Sequence, residues 1–352
     1  MKPLSITCLL AITSIASASQ SISSDDARIQ TLGTKYIKQA ESGTQYQRHR
    51  EDVLQSPRKQ LGINPDKARN TSGIVLAFNS DSKNITAHFD ILAANYMGSG
   101  FGAFENGELI EELKLKAKDK TATLKFTSKS KGSSLYEIAL PSFAYVAFKG
   151  LTIDAGADLQ QNPALDKRIY VALGDSISHG VGQDGATHKT WPFLLSRQLN
   201  AEVFNLAVGG GKISVPTAAM LSDWEQIDLI TVLIGYNDLH FDAKTPAAYA
   251  AKYNELLDTI RANHPNTKIY CISLLYTDKP TAKSGHTADE FRAALTQVIT
   301  QRKSSDKHLF LVKGDSITSK KNLRADNDKD PVHLGVEGAA MLANELAAII
   351  QR

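Results

Sequence analysis

Arg168-Ile-Tyr-Val-Ala-Leu-Gly-Asp-Ser-Ile-Ser-His-Gly180 is the stretch around which the chain is organised. Ile169 to Leu173 is nearly all apolar, with β-branched and aromatic members, the composition of a short strand buried on both faces. The run stops at Gly174-Asp175-Ser176. Open α/β sheets present their reactive groups at the carboxyl ends of parallel strands, so Ser176 is the first candidate nucleophile. A serine hydroxyl is a weak nucleophile at neutral pH. It needs a base, a group that orients the base, and donors for an oxyanion.

Three later segments offer those groups. Asn205-Leu-Ala-Val-Gly-Gly-Gly211 ends a second apolar run in glycines, whose backbone N–H groups a substrate can approach closely. Leu229-Ile-Thr-Val-Leu-Ile-Gly-Tyr-Asn-Asp238 ends a third in the side-chain amide of Asn237. Asp330-Pro-Val-His333 then sets a carboxylate three residues before an imidazole, a spacing at which one ring nitrogen can be held while the other faces the serine.

Together and in this order, the four segments resemble the SGNH subgroup of the GDSL esterase/lipase family. Gly174-Asp175-Ser176 matches its first block, Gly210 its second, Gly235-Tyr-Asn237-Asp238 its third and Asp330-x-x-His333 its last. The resemblance implies Ser176 as nucleophile, His333 as base and Asp330 as its partner. It implies an oxyanion hole of the Ser176 and Gly210 N–H groups and the Asn237 amide, with no cofactor and no metal. Asp175 is read as a structural residue of the turn.

The segments around these blocks alternate strand and helix. Strands are expected at Ile169–Leu173, Glu202–Leu206, Asp228–Ile234, Lys268–Ser273 and His308–Val312. Thr245-Pro246 opens a helix with the apolar stripe Tyr249, Tyr253, Leu256, Leu257 and Ile260. Thr287-Ala-Asp-Glu290 reads as a capping box, and an Ala-rich amphipathic helix is expected from about Val336 to Ile350. Such alternation predicts a parallel sheet covered by helices on both faces. The resemblance implies the flavodoxin-like strand order 2-1-3-4-5, a three-layer α/β/α hydrolase domain over residues 167–352.

Before it the period changes to two. Ile85, Ala87, Phe89 and Ile91 alternate with polar residues, as do Ala122, Leu124 and Phe126, the mark of half-buried antiparallel strands. Asn106-Gly107 is a two-residue hairpin signal, and further strands are expected at Ser134–Leu140 and Tyr145–Ile153. About seven short strands predict an all-β, jelly-roll-like sandwich over residues 19–155, with Asp154–Asp166 as linker. Ser19 to Arg69 is polar and shows no clear period.

Lys2, the apolar stretch Ile6–Ile15 and Ala16-Ser17-Ala18 read as a secretory signal over residues 1–18, with cleavage near Ala18 and a secreted or periplasmic destination. Thr7, in place of a small residue before Cys8, argues against a lipoprotein. Cys271 is the only cysteine after that segment, so the mature chain forms no internal disulfide. Over 352 residues the net charge is +3, which favours neither nucleic acid nor an anionic membrane as partner. No run beyond the leader reaches transmembrane length. Basic residues look scattered, apart from a Lys-rich stretch from Lys114 to Lys131 expected to form the solvated face of strands.

Several residues compete with these assignments. Gly314-Asp315-Ser316 repeats the nucleophile tripeptide but lacks its own acid and base, and His179 and His240 lie near the expected rim as polar loop residues. The combined expectation is an exported serine esterase acting on acetyl esters of a carbohydrate. The alternatives are a lipid esterase or thioesterase, an acyltransferase, or a sugar-binding protein with a vestigial site.

Overall fold

The structure, a computed structural model, describes residues 19–94, 99–116, 118–162, 167–242 and 244–352. The leader at 1–18 and the linker residues 163–166 lie outside the described residues.

Among the described residues the amino-terminal part holds twelve strands. They are β1 (Ser19–Ile22), β2 (Gln30–Leu32), β3 (Tyr36–Ala40), β4 (Gly43–Gln47), β5 (Val75–Ser80) and β6 (Asn84–Ala94). There follow β7 (Gly100–Glu105), β8 (Glu108–Lys114), β9 (Thr121–Thr127), β10 (Ser134–Ala139), β11 (Ala144–Asp154) and β12 (Leu159–Gln160). One antiparallel sheet runs β3-β4-β11-β6-β9 with β1 beside β11, the other β12-β5-β10-β7-β8 with β2 beside β5. From β5 onward the chain crosses repeatedly between the two sheets, as in a jelly roll. Their inner faces share one core that includes Phe78, Phe89, Phe101, Tyr136 and Phe148. Asn106 and Gly107 both have positive φ (52° and 86°), the type I′ geometry that the hairpin signal demands.

The strand count exceeds seven for two reasons. The polar segment 19–47 supplies four strands whose inward residues are few, and the expected linker contributes β12, which pairs with β5. The segment after β4 departs from the sandwich altogether. It forms three short helices, α1 (Glu51–Leu54), α2 (Arg58–Leu61) and α3 (Pro65–Ala68). Val53, Leu54, Leu61, Ile63 and Ala68 join the core of the α/β part rather than that of the sandwich. Residues 48–69 are therefore contiguous in sequence with one core and packed into the other.

The α/β part holds a five-stranded parallel sheet: β13 (Arg168–Gly174), β14 (Ala201–Asn205), β15 (Leu229–Leu233), β16 (Lys268–Ile272) and β17 (Leu309–Val312). Its order, β14-β13-β15-β16-β17, is the 2-1-3-4-5 arrangement expected. The helices are α4 (Ser176–His179), α5 (Trp191–Gln198), α6 (Val215–Ala219), α7 (Tyr236–Phe241), α8 (Pro246–Asn263), α9 (Ala288–Arg302), α10 (Gly314–Ile317) and α11 (Val336–Ile350). α5 packs with α11 and α8 with α9, giving the two helical layers. The Thr287/Glu290 capping box is closed in both directions, and the five stripe residues of α8 are all buried. Phe193 of α5 packs on Val75, Phe104 and Ala139, joining the sandwich to the α/β core. No described helix is long and apolar enough to cross a membrane.

Candidate active site

β13 delivers Gly174 to the sheet edge, and the chain turns at once into α4. Asp175, 1% exposed, caps that helix by accepting from the Ile177 N–H at 3.0 Å. Burial raises its carboxyl to about 7. Its role is to hold the turn, and Ser176 follows as the first helical residue, partly open to solvent.

Ser176 Oγ lies 2.7 Å from His333 Nε2, across a sequence separation of 157 residues. His333 Nδ1 sits 2.8 Å from both Asp330 oxygens, so it donates and Nε2 is left to accept from the serine. Asp330 also accepts from the backbone N–H groups of Val332 and His333, at 3.2 and 3.1 Å. Burial raises its carboxyl pKa, but the hydrogen bond and charge of His333 and these two N–H groups outweigh it and hold the value down to about 2. Arg324 Nη1 stands 3.6 Å from Asp330, and its backbone N–H donates to His333 O at 2.9 Å, which pins the histidine loop from behind.

The three donors expected for an oxyanion lack a full complement of acceptors among the described residues, and the glycine loop that carries one of them is tied to the nucleophile turn by the Val208 N–H donating to Gly174 O at 3.2 Å. The N–H groups of Ser176 and Gly210 make no hydrogen bond to the described residues. Asn237, 5% exposed at the start of α7, gives one amide hydrogen to Gly211 O at 2.9 Å and keeps the other. Gly210 has a positive φ of 79°, a conformation that glycine adopts without strain. Gly235 (φ 135°) is required twice over, since a Cβ there would meet the Tyr249 ring at 2.9 Å.

Two further residues hold this loop, and one of them, His179, is not the polar loop residue expected but the last residue of α4, closed off from solvent by burial. His179, fully buried, donates from Nε2 to Ser142 O at 2.8 Å and accepts the Gly209 N–H on Nδ1 at 2.9 Å. Burial, then the charge of Arg48 at 3.4 Å, keeps the ring neutral by lowering its pKa well below the usual value. Arg48 is 1% exposed and meets no carboxylate among the described residues. It donates to the carbonyls of Asn70, Asn205 and Ala207, each at 2.6 Å, and of Lys67 at 3.2 Å. Burial pushes its pKa down to about 9, which leaves it protonated at neutral pH. A signal did exist: Thr44 and Tyr46 alternate inward along β4, and the same period carries on to Arg48. Asn205, from the second block, donates to Ser178 O at 2.9 Å and ties the glycine loop to α4.

The competing residues fall outside this geometry. Ser316, exposed on the single-turn helix α10, donates back to Lys313 O at 2.7 Å and has no hydrogen bond to an imidazole among the described residues. His240 lies within α7 rather than in a loop, its ring tilted against Tyr236 (4.4 Å between ring centres), and among the described residues it makes no bond to Ser176. Cys271 is buried in β16, where burial pushes its thiol up to about 12. Among the described residues no three or more His, Cys, Asp or Glu side chains converge as a metal site would. Lys114, Lys116, Lys118, Lys120, Lys125, Lys129 and Lys131 are all exposed, but only Lys114 and Lys125 lie on strands (β8 and β9), the others standing in the loops on either side of β9.

A doubly covered parallel sheet with a serine, histidine and aspartate hydrogen-bonded in series at its carboxyl edge defines a hydrolase of the α/β/α type. Residues 172–341 match the GDSL-like Lipase/Acylhydrolase family, and the α/β part of the chain belongs to it. The chain is thus a carboxylic ester hydrolase. The whole architecture, sandwich included, is similar to solved structures at low sequence identity. A salicylyl-acyltransferase from a tetracycline biosynthetic pathway is 22% identical, with 94% of this chain and 97% of that one covered and a TM-score of 0.81. A family two carbohydrate esterase from Cellvibrio japonicus is 19% identical over 95% and 97%, with a TM-score of 0.65. An acetyl xylan esterase from the rumen bacterium Butyrivibrio proteoclasticus is 15% identical over 95% and 97%, with a TM-score of 0.64. No match among curated proteins reaches significance.

Proposed function

We propose that this chain is an exported serine esterase that removes acetyl groups from a carbohydrate through an acyl-enzyme on Ser176. The observation that carries the reading is the 2.7 Å approach of Ser176 Oγ to a His333 ring whose other nitrogen is clasped by Asp330. His333 takes the serine proton as Oγ attacks the ester carbonyl. The oxyanion that forms is held by the Ser176 and Gly210 N–H groups and the free hydrogen of Asn237. Collapse expels the sugar oxygen, which recovers the proton from His333. Water, deprotonated by the same ring, then releases acetate and restores the serine. Asp330 keeps the tautomer and offsets the charge on the imidazolium.

Carbohydrate as the acyl carrier is supported by the two carbohydrate esterases of similar architecture and by Phe241, whose ring is 73% exposed at the end of the helix that carries Asn237. Export is supported by the character of residues 2–18. The acyltransferase of similar architecture favours one second reading, in which an alcohol replaces water at the acyl-enzyme. A series of 4-nitrophenyl esters of increasing chain length, run beside acetate release from acetylated polysaccharides, tests the proposal. Acetyl preference with acetate release is the expected result. A preference for long acyl chains would reject it, and faster consumption of ester in the presence of an alcohol, with acyl product on that alcohol, would favour transfer.

A further inference from the structure

A groove of about 720 Å3 opens beside the site and shares Gly209 and Gly210 with it. Neither Ser176 nor His333 lines it, so it extends away from the reacting atoms from the oxyanion loop outward. Its walls carry six cationic side chains, Arg58, Lys59, Lys67, Lys212, Lys244 and Lys252, against a single lining carboxylate, Asp242. Three of the six are matched. Lys212 pairs with Asp242 at 2.8 Å, Lys244 with Asp238 at 2.5 Å and Asp242 at 2.8 Å, and Lys252 with Glu255 at 2.7 Å.

Arg58, Lys59 and Lys67 have no carboxylate within 4.0 Å among the described residues. All three come from the α2–α3 segment, which is fastened to the oxyanion loop by the Lys212 N–H donating to Gly62 O at 2.8 Å. The Lys67 ammonium reaches the active-site end of the wall, 4.0 Å from where a Cβ on Gly210 would stand. Three cations without a carboxylate partner thus stand together on one wall leading to the proposed oxyanion hole. A cleft lined by one sign of charge concentrates ligands of the other. Several separate cations strung along an open groove suit a ligand with repeated anionic groups.

We infer that the groove receives an acidic polysaccharide, a chain of carboxylate-bearing sugars, and that the ester cleaved at Ser176 is carried on such a chain. The inference rests on the carbohydrate-esterase reading and adds the charge class of the sugar. Phe241, exposed next to the groove-lining Asp242, offers a ring face for a sugar beside the cations.

The test uses the full-length protein with unesterified oligogalacturonate as probe and neutral xylo-oligosaccharide of equal length as comparison. Each is assayed as an inhibitor of 4-nitrophenyl acetate hydrolysis and, separately, by isothermal titration calorimetry. The acidic probe is expected to bind about tenfold more tightly or better, and to lose about tenfold between about 50 and about 500 mM salt as screening sets in. Arg58→Glu and Lys59→Glu should each raise its inhibition constant, taken relative to the variant's own uninhibited rate, by about threefold to tenfold. Equal affinity for the two sugars, or salt-independent binding of the acidic one, would overturn the inference. So would tighter binding of a nucleotide-type polyanion than of the oligogalacturonate. Absence of 4-nitrophenyl acetate hydrolysis would count against the esterase reading alone, because calorimetry still reports on the groove.

Discussion

Replacing Asn237 with alanine separates transition-state stabilisation from binding. Its amide has two hydrogens with different duties: one donates to Gly211 O at 2.9 Å, and the other is free to meet the oxyanion. Removing one of three oxyanion donors typically costs about 2.7–4 kcal/mol, so kcat should fall about 100- to 1,000-fold. The lost bond to Gly211 is an ordinary neutral one, and its removal should destabilise the fold by about 1 kcal/mol. KM should stay within about threefold, because the donor acts only once the carbonyl becomes tetrahedral. Steady-state kinetics with 4-nitrophenyl acetate and urea denaturation measure the two effects independently. A raised KM with kcat unchanged would refute the oxyanion role. A stability loss much larger than that of one hydrogen bond would show that the side chain chiefly supports the loop.

Three further outcomes are expected. Arg48→Met strands the carbonyls of Asn70, Asn205 and Ala207, and should cost at least about 3 kcal/mol in urea denaturation; an unchanged midpoint would refute its buttressing role. Asp330→Asn leaves the shape of the site but favours the wrong histidine tautomer, so kcat should drop by about 10,000-fold; retention of more than about a tenth of the activity would count against Asp330. In the sandwich, burial raises the Glu105 carboxyl, but Ser128 and the N–H groups of Lys129 and Ser130 outweigh it and lower it from 4.5 to about 2. A depressed carboxylate stabilises above its unfolded pKa and loses that contribution as pH falls through the folded one, so Glu105→Gln should cost roughly 3 kcal/mol at pH 7 and progressively less between pH 4.5 and pH 2. A penalty that does not vary with pH over that window would contradict it.

The parts legible in the sequence are those whose signal is local. Buried parallel strands stand out as apolar runs, and Gly174-Asp175-Ser176, Asn237 and Asp330-x-x-His333 each follow a strand or precede a helix in a short window. The hairpin at Asn106-Gly107 and the caps at Thr245 and Thr287 depend on backbone chemistry confined to a few residues. The segment from Ser19 to Arg69 carries no such signal, because its strands are short and its helices are single turns. Arg48 and His179 are buried and satisfied by carbonyls and an N–H from loops distant in sequence, which no local pattern records. The cationic groove was hidden in the same way. Its side chains come from three separated stretches, so neither the net charge nor any single run of lysines reveals it.

The most direct measurement is mass spectrometry of the protein after exposure to a fluorophosphonate, which reacts with a serine only when a neighbouring base activates it. A single adduct on the peptide that contains Ser176, absent from Ser176→Ala together with ester hydrolysis, is the result expected from the Ser176–His333–Asp330 geometry. Labelling at another serine, or undiminished hydrolysis by Ser176→Ala, would contradict it.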